Sequence, residues 1–212
     1  MDVDILDVNT FEKTHATKPI CDAWRDGDWI GVFNLWIAQS IDGIPSLLYQ
    51  KRTSRGGWAS GLLDVTAGGH YEARESVQDG LREVQEELGK KYEFESLRYL
   101  GKKLYLRDDN DRILRNVVDV FIVLDNSPLN SFVLEHQELD GLYRCNTQDL
   151  IRVHTEPDYA FSATGIAFQN NHLEPSEILV TGSSFPLNWD QYHLKMALIA
   201  ERFINGERHL YY

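Results

Sequence analysis

The 212-residue chain carries a net charge of −12 at pH 7, with 42% hydrophobic and 25% charged residues. That size and balance suit a globular protein with a core of its own, and the acidity argues against a nucleic-acid groove, which needs a basic stripe. No run approaches the roughly 18 apolar residues of a membrane span, the acidic start Met1 to Asp7 does not suit a signal peptide, and Cys21 and Cys145 make neither a disulfide framework nor a zinc site, so a cytoplasmic location is expected.

Residues 1–28 read as polar and irregular, with a turn over Trp24 to Asp28. Trp29 to Ala38 is the strongest strand signal, largely β-branched and aromatic. A turn at Ile41-Asp42-Gly43 leads into a second strand, Ser46 to Lys51, as a hairpin. Ser54 to Gly57 is a loop, and Leu62 to Thr66 a short strand running into Gly68. Strands are expected at 92–99 and 102–107, then a turn over 108–111. Val117 to Leu124 is an apolar run expected to be a central strand. A short strand follows at Leu142 to Cys145, and a helix starts at Thr147. Residues 162–184 read as loop with one short strand. Asp190 to Phe203 reads as a C-terminal helix, with apolar residues at 194, 197, 198 and 203. There is no internal repeat and no low-complexity segment.

The stretch from Gly68 to Gly89 carries the chemistry. Ser76 with Asp79 three residues later makes a capping-box-like helix start, and Gly89 is a natural stop. At about 100° per residue, Val77, Leu81, Val84 and Leu88 share one stripe. Glu83, Glu86 and Glu87 share another, roughly 140° away. Like charges on adjacent turns repel, and Arg82 is the one cation within the group. A hard divalent ion would relieve the crowding, because Mg²⁺ and Mn²⁺ take oxygen ligands. On its own, such a cluster equally describes a solvated acidic face.

The order of residues resembles the box of the Nudix hydrolases, Gly-x5-Glu-x7-Arg-Glu-aliphatic-x-Glu-Glu-x-Gly-aliphatic. Arg82, Glu83, Val84, Glu86, Glu87 and Gly89 occupy the helical half one for one, and Gly69 with Glu75 suit the loop half. Six residues separate Glu75 from Arg82 where the pattern has seven. The other register takes Gly68 as first glycine and puts Arg74 where a Glu belongs. Arg74 also replaces a glycine common in related loops, and Lys90 the closing aliphatic residue. Asp4 to Val8, Gly27-Asp28-Trp29, Leu47 to Arg52 and Asp64 to His70 further resemble the subgroup akin to isopentenyl diphosphate isomerase, and the likeness covers roughly residues 4–150.

The resemblance implies an α/β (α+β) architecture, the Nudix fold, with a mixed sheet between helices. The chain would be a single domain over 1–212, with a core at about 28–150 and a C-terminal helical extension at 151–212. It implies a hydrolase that cleaves a phosphoanhydride bond of a small diphosphate, with Mg²⁺ or Mn²⁺ held by Glu83, Glu86 and Glu87. Arg82 would orient a glutamate, and Glu86 would serve as ligand, base or both. Gly68 and Gly69 would permit positive φ and close approach of backbone to phosphate. Arg52 is a phosphate contact or an ordinary surface arginine. His70 is a loop hydrogen bonder or a substrate contact. Glu138, with Glu135 as competitor, matches a further acid beyond the box. Phe33, Trp36, Tyr49 and Trp58 could stack on a base, although strand aromatics are more often core. The family's frequent dimers leave a homodimer open. The isomerase itself is disfavoured, because no cysteine stands in Asp64-Val65-Thr66-Ala67-Gly68-Gly69-His70. A non-catalytic sensor module is disfavoured too, because such modules usually lose box glutamates and three remain here.

Overall fold

The computed structural model describes residues 1–109, 112–187 and 190–212. In chain order the elements are β1 (Asp2–Leu6), β2 (Lys13–Pro19), α1 (Ile20–Asp26), β3 (Trp29–Ile41), β4 (Ile44–Arg52), β5 (Leu63–Asp64), β6 (Ala67–His70), α2 (Leu81–Leu88), β7 (Arg98–Asp109), β8 (Arg112–Leu124), β9 (Leu139–Asn146), α3 (Thr147–Thr155), β10 (Phe161–Gln169), β11 (His172–Val180) and α4 (Tyr192–Ile204). Short 3-10 turns occur at Gln78–Gly80, Phe94–Ser96, Leu129–Ser131 and Gly182–Ser184.

One large mixed sheet runs β11-β10-β9-β4-β3-β1-β2, with β6 and β8 also on β3 and β7 on β8. β3 is its hub. It pairs in parallel with β8 from Trp29↔Arg115 to Ala38↔Leu124, and antiparallel with β4, β6 and β1 in succession along its other edge. A strand so placed is covered on both faces, which is why its sequence is almost continuously apolar rather than alternating.

The pleat of β3 divides two cores. Phe33, Leu35 and Ile37 join Phe121 and Val123 of β8 beneath Val84 and Leu88 of α2. Trp36 and Ala38 join Val120 and Ile122 on the opposite face, packed on Met196, Ala197 and Ala200 of α4. The sheet therefore lies between helices, with α2 on one side and α3 and α4 on the other.

Several expected elements differ. The N-terminal 28 residues hold β1, β2 and α1 rather than irregular chain. Their strands are short, and β2 is exposed along nearly its whole length, so it shows no hydrophobic period. The two strands expected at 92–99 and 102–107 are a 3-10 turn followed by the single strand β7, whose register shifts between Tyr99 and Gly101. Of the turn expected over 108–111, Asp108 and Asp109 belong to β7, and Asn110 and Asp111 lie outside the described residues. Residues 162–184 are mostly the β10–β11 hairpin. Its tip is Asn170-Asn171, with φ +50° and +64°, the paired left-handed conformation that tight hairpins require and asparagine tolerates. Within 190–204 the helix is α4, as expected from its apolar period. The described residues include no helix long and apolar enough to cross a membrane.

On α2 the stripe holds at Leu81, Val84 and Leu88. Val77 instead precedes the 3-10 turn and is 37% exposed. Leu88→Ala should cost about 2–5 kcal/mol, the usual range for a fully buried leucine, whereas Val77→Ala should stay within about 0.5 kcal/mol. Urea unfolding of the two variants measures the difference.

Candidate active site

Gly68 and Gly69 lie in β6, paired with Asn34 and Phe33 of β3. Neither has a positive φ, so the expected left-handed turn is absent and space is what demands glycine. A Cβ on Gly68 would stand 2.6 Å from the Phe33 carbonyl oxygen, and one on Gly69 would fall on the Glu83 carboxylate. The left-handed positions are Arg74, at φ +75°, and Gly89, at +63°. Arg74 thus adopts the conformation natural to the glycine it replaces, held by its N–H donating to Asp4 Oδ2 at 2.8 Å.

The shortened junction is absorbed before α2. Ser76 N–H and Oγ both donate to Asp79 Oδ2 at 2.7 Å, and a 3-10 turn follows in place of the first turn of the expected helix. Glu75 then reaches Arg82, accepting from Nε at 2.9 Å. This contact is made by Glu75 and not by residue 74, in line with the register that starts at Gly69.

Arg82 is the hub of the acidic cluster. Besides Glu75 it meets Glu83 at 3.0 Å and Glu86 at 2.9 Å. Glu87 is buried, at 4% exposure, and accepts from Gly68 N–H at 3.0 Å. Burial pushes the Glu87 carboxyl well above the usual range against that hydrogen bond, with Glu83 and Glu138 adding repulsion. Burial likewise raises Glu83, to about 7, with Arg82 opposing and Glu86 and Glu138 adding to the rise. The structure therefore brings Glu83, Glu87 and Glu138 into one field, while Glu86 is turned outward onto Arg82. Glu135 spends its carboxylate on Gln137 N–H. Among the described residues no three acidic, histidine or cysteine side chains converge on one point. The donors still suit a hard divalent cation, because Glu83 has Arg82 as its one ion-pair partner among the described residues and buried Glu87 has only the Gly68 N–H.

The same glycines border a cleft of about 350 Å³ between β6, β8 and α4. Arg52 lines it, donating Nε–H to Trp58 O at 3.1 Å and lying over the Trp58 ring. Its charge also lowers Glu87, so it is no isolated surface residue. His70 lines the cleft with its ring edge-on to Trp24. Burial lowers its pKa to about 4, so the imidazole is neutral at pH 7. Lys103 and Arg112 join Arg52 there, against the acid Asp64, so the cleft is cationic in an acidic chain. Of the four aromatic candidates only Trp58 faces it; Phe33, Trp36 and Tyr49 are core. A hollow of about 430 Å³ beside Asp4, Lys13 and Asp119 also touches Glu75 but neither glycine.

No family model matches the chain. It is 26% identical over 156 residues to an uncharacterized Nudix hydrolase of Clostridium acetobutylicum, covering 72% of this chain and 74% of that protein. By sequence the chain is similar to the Nudix hydrolases. It is an enzyme of the pyrophosphohydrolase type. Nudix hydrolase 3 of Arabidopsis thaliana is 30% identical over 137 residues, 62% of this chain and 17% of that longer protein. DR0079 from Deinococcus radiodurans shares the fold, with a TM-score of 0.55 at 19% identity over 74% of this chain and 90% of its own. A MutT/nudix family protein from Enterococcus faecalis does so at TM-score 0.50 and 16% identity, over 85% and 64%.

Asn34, Asp64, Lys103, Asn116 and Tyr192 also line the hydrolase's cleft, and sequence reasoning had not singled them out. Asn34 carried a signal, as a polar residue inside an apolar central strand. Tyr192 carried none, because only tertiary packing brings α4 to β3.

A raised carboxyl pKa means the folded protein binds protons that the unfolded chain releases, so stability is lost as pH rises through the window. For Glu83 that window runs from the ordinary 4.5 to about 7. His70, whose pKa burial lowers to about 4, works in the opposite sense over part of that range, so the test compares variants of the metal-free enzyme: Glu83→Gln should gain melting temperature over the wild type as pH rises from 4.5 to 7.5. Thermal denaturation of both proteins at fixed ionic strength reads that difference, and a difference that does not change with pH refutes the expectation.

Proposed function

We propose that this hydrolase cleaves the phosphoanhydride bond of a small nucleoside-diphosphate-linked or related diphosphate, using Mg²⁺ or Mn²⁺. One observation carries the reading: buried Glu87 and partly buried Glu83 stand behind Gly68 and Gly69, whose strand borders a cationic cleft. Glu83 and Glu87 would hold the ion, with Glu86 joining them on release from Arg82. When bound, such an ion supplies neutralisation of the charge building on the transferring phosphoryl group and its leaving oxygen.

The other roles follow from position. Arg82 orients Glu83 and Glu86 through its fork of donors. Gly68 and Gly69 let the phosphates approach the backbone closely, and Arg52 offsets their charge. Glu86 or Glu138 accepts the proton of the attacking water. Neutral His70 contacts the substrate as a hydrogen-bonding group and not as a cation. An isomerase reading lacks its cysteine here too: Cys145 is buried and Cys21 exposed, and neither lines the cleft. The likeness to the isomerase-akin subgroup is part of this proposal.

Phosphate release should be measured over nucleoside di- and triphosphates, nucleotide sugars, dinucleotides and prenyl diphosphates. Turnover is expected only with divalent metal, with losses of orders of magnitude in Glu86→Gln and Glu87→Gln. Arg82→Lys should lose about 10–100-fold, the range for residues that orient ligands. Metal-independent turnover, or full activity in both glutamine variants, refutes the reading. Binding without turnover across the panel favours a sensor.

A further inference from the structure

Strand register fixes what lies under the cleft. Val32 pairs with His70 on one side and with Val118 on the other, and Val118 pairs with Lys103. The floor is therefore an apolar centre between a neutral imidazole and an ammonium, about 14 Å apart at the usual ~4.8 Å per strand. Lys103 is 4% exposed and ion-paired to Asp190 at 2.8 Å.

The wall above this floor comes from the C-terminal segment. The Tyr192 phenol oxygen accepts from Asn34 Nδ2 at 3.1 Å and from Trp36 Nε1 at 2.8 Å. Two donors occupy both lone pairs, so the hydroxyl can act only as a donor. Its hydrogen has no acceptor among the described residues. Asn116 Oδ1, from β8, is buried and has no donor. Both residues line the cleft. A buried hydroxyl proton and a buried carbonyl oxygen left open in one cavity await a complementary ligand.

We infer that Tyr192 and Asn116 determine which diphosphate is accepted. The group carried on the diphosphate is a polar one that gives an acceptor to the Tyr192 hydroxyl and a donor to the Asn116 carbonyl, as a nucleoside or a sugar does and a prenyl chain does not. This inference rests on the hydrolytic reading of the box. A hydrocarbon in the cleft would leave both groups desolvated and unpaired, at a cost of about tenfold or more in affinity for each. The residue that aims the key donor is supplied by α4, which assigns the C-terminal extension a part in selection as well as in packing.

The test compares kcat/KM for ADP-ribose, ADP, geranyl diphosphate and tripolyphosphate, with Mg²⁺, in the wild type and in Tyr192→Phe and Asn116→Val. The wild type should favour the better of ADP-ribose and ADP over geranyl diphosphate by about 100-fold, two such groups satisfied. Each variant should lower the ratio of that substrate to tripolyphosphate about tenfold; comparing ADP-ribose with ADP shows whether sugar or nucleoside is read. A wild type that prefers geranyl diphosphate, or a Tyr192→Phe enzyme with an unaltered ratio, overturns the inference. Should Tyr192→Phe not fold by circular dichroism, Asn116→Val decides by the same ratio. If no probe is turned over, the hydrolytic reading fails, and calorimetric Kd values for ADP-ribose and geranyl diphosphate in the same three proteins decide selection separately.

Discussion

Everything at the acidic end of the hydrolase depends on how one guanidinium is shared. Arg82 meets Glu75 on the loop and Glu83 and Glu86 on its own helix. Without a cation among them, carboxylates on adjacent turns would destabilise the helix that carries them. A planar fork with five donors can serve three acceptors at once; a lysine ammonium is a single point charge and would hold the loop more loosely. The same bond to Glu75 ties the irregular segment after β6 to α2, so the glycines and the carboxylates keep a fixed relation.

Burial then does the rest. Glu87 lies beneath the sheet edge with Gly68 N–H as its donor, and Glu83 fills the place where a side chain on residue 69 would stand. A carboxylate held out of water binds protons or a cation more readily than one on the surface. Its neighbour Glu86, half exposed, is left free to change partner. That division of one helix face into buried and open acids does not follow from spacing, since all three lie on the same stripe.

What could be read in the chain follows the range of the forces. The continuous apolar run of β3, the stop at Gly89 and the spacing of Arg82 to Glu87 are local patterns, and each has its place in the structure. The β10–β11 hairpin escaped because Ser162 and Gly165 dilute the strand signal and Pro175 interrupts it. The N-terminal strands escaped because β2 has almost no buried face. For the glycines, the expectation of a positive φ fails: Gly68 and Gly69 answer to crowding from Phe33 and Glu83. In the cleft, Arg52 and His70 were legible from their place beside the box. Tyr192 comes from α4, far along the chain from Lys103 of β7 and Asn116 of β8, and only strand register and helix packing assemble the three.

The large sheet has an end that carries its own protection. β11 is hydrogen-bonded to β10 along one side, and its other side is the terminus of the strand order. Pro175, which has no N–H to offer, stands in the middle of that strand, flanked by the exposed acids Glu174 and Glu177. An incoming strand would meet a missing donor and like charges from a second copy, the devices that discourage sheet-to-sheet addition. The hydrolase can thus extend its sheet to this margin, with Leu179 standing 71% exposed on it, without inviting the endless stacking that leads to fibrils.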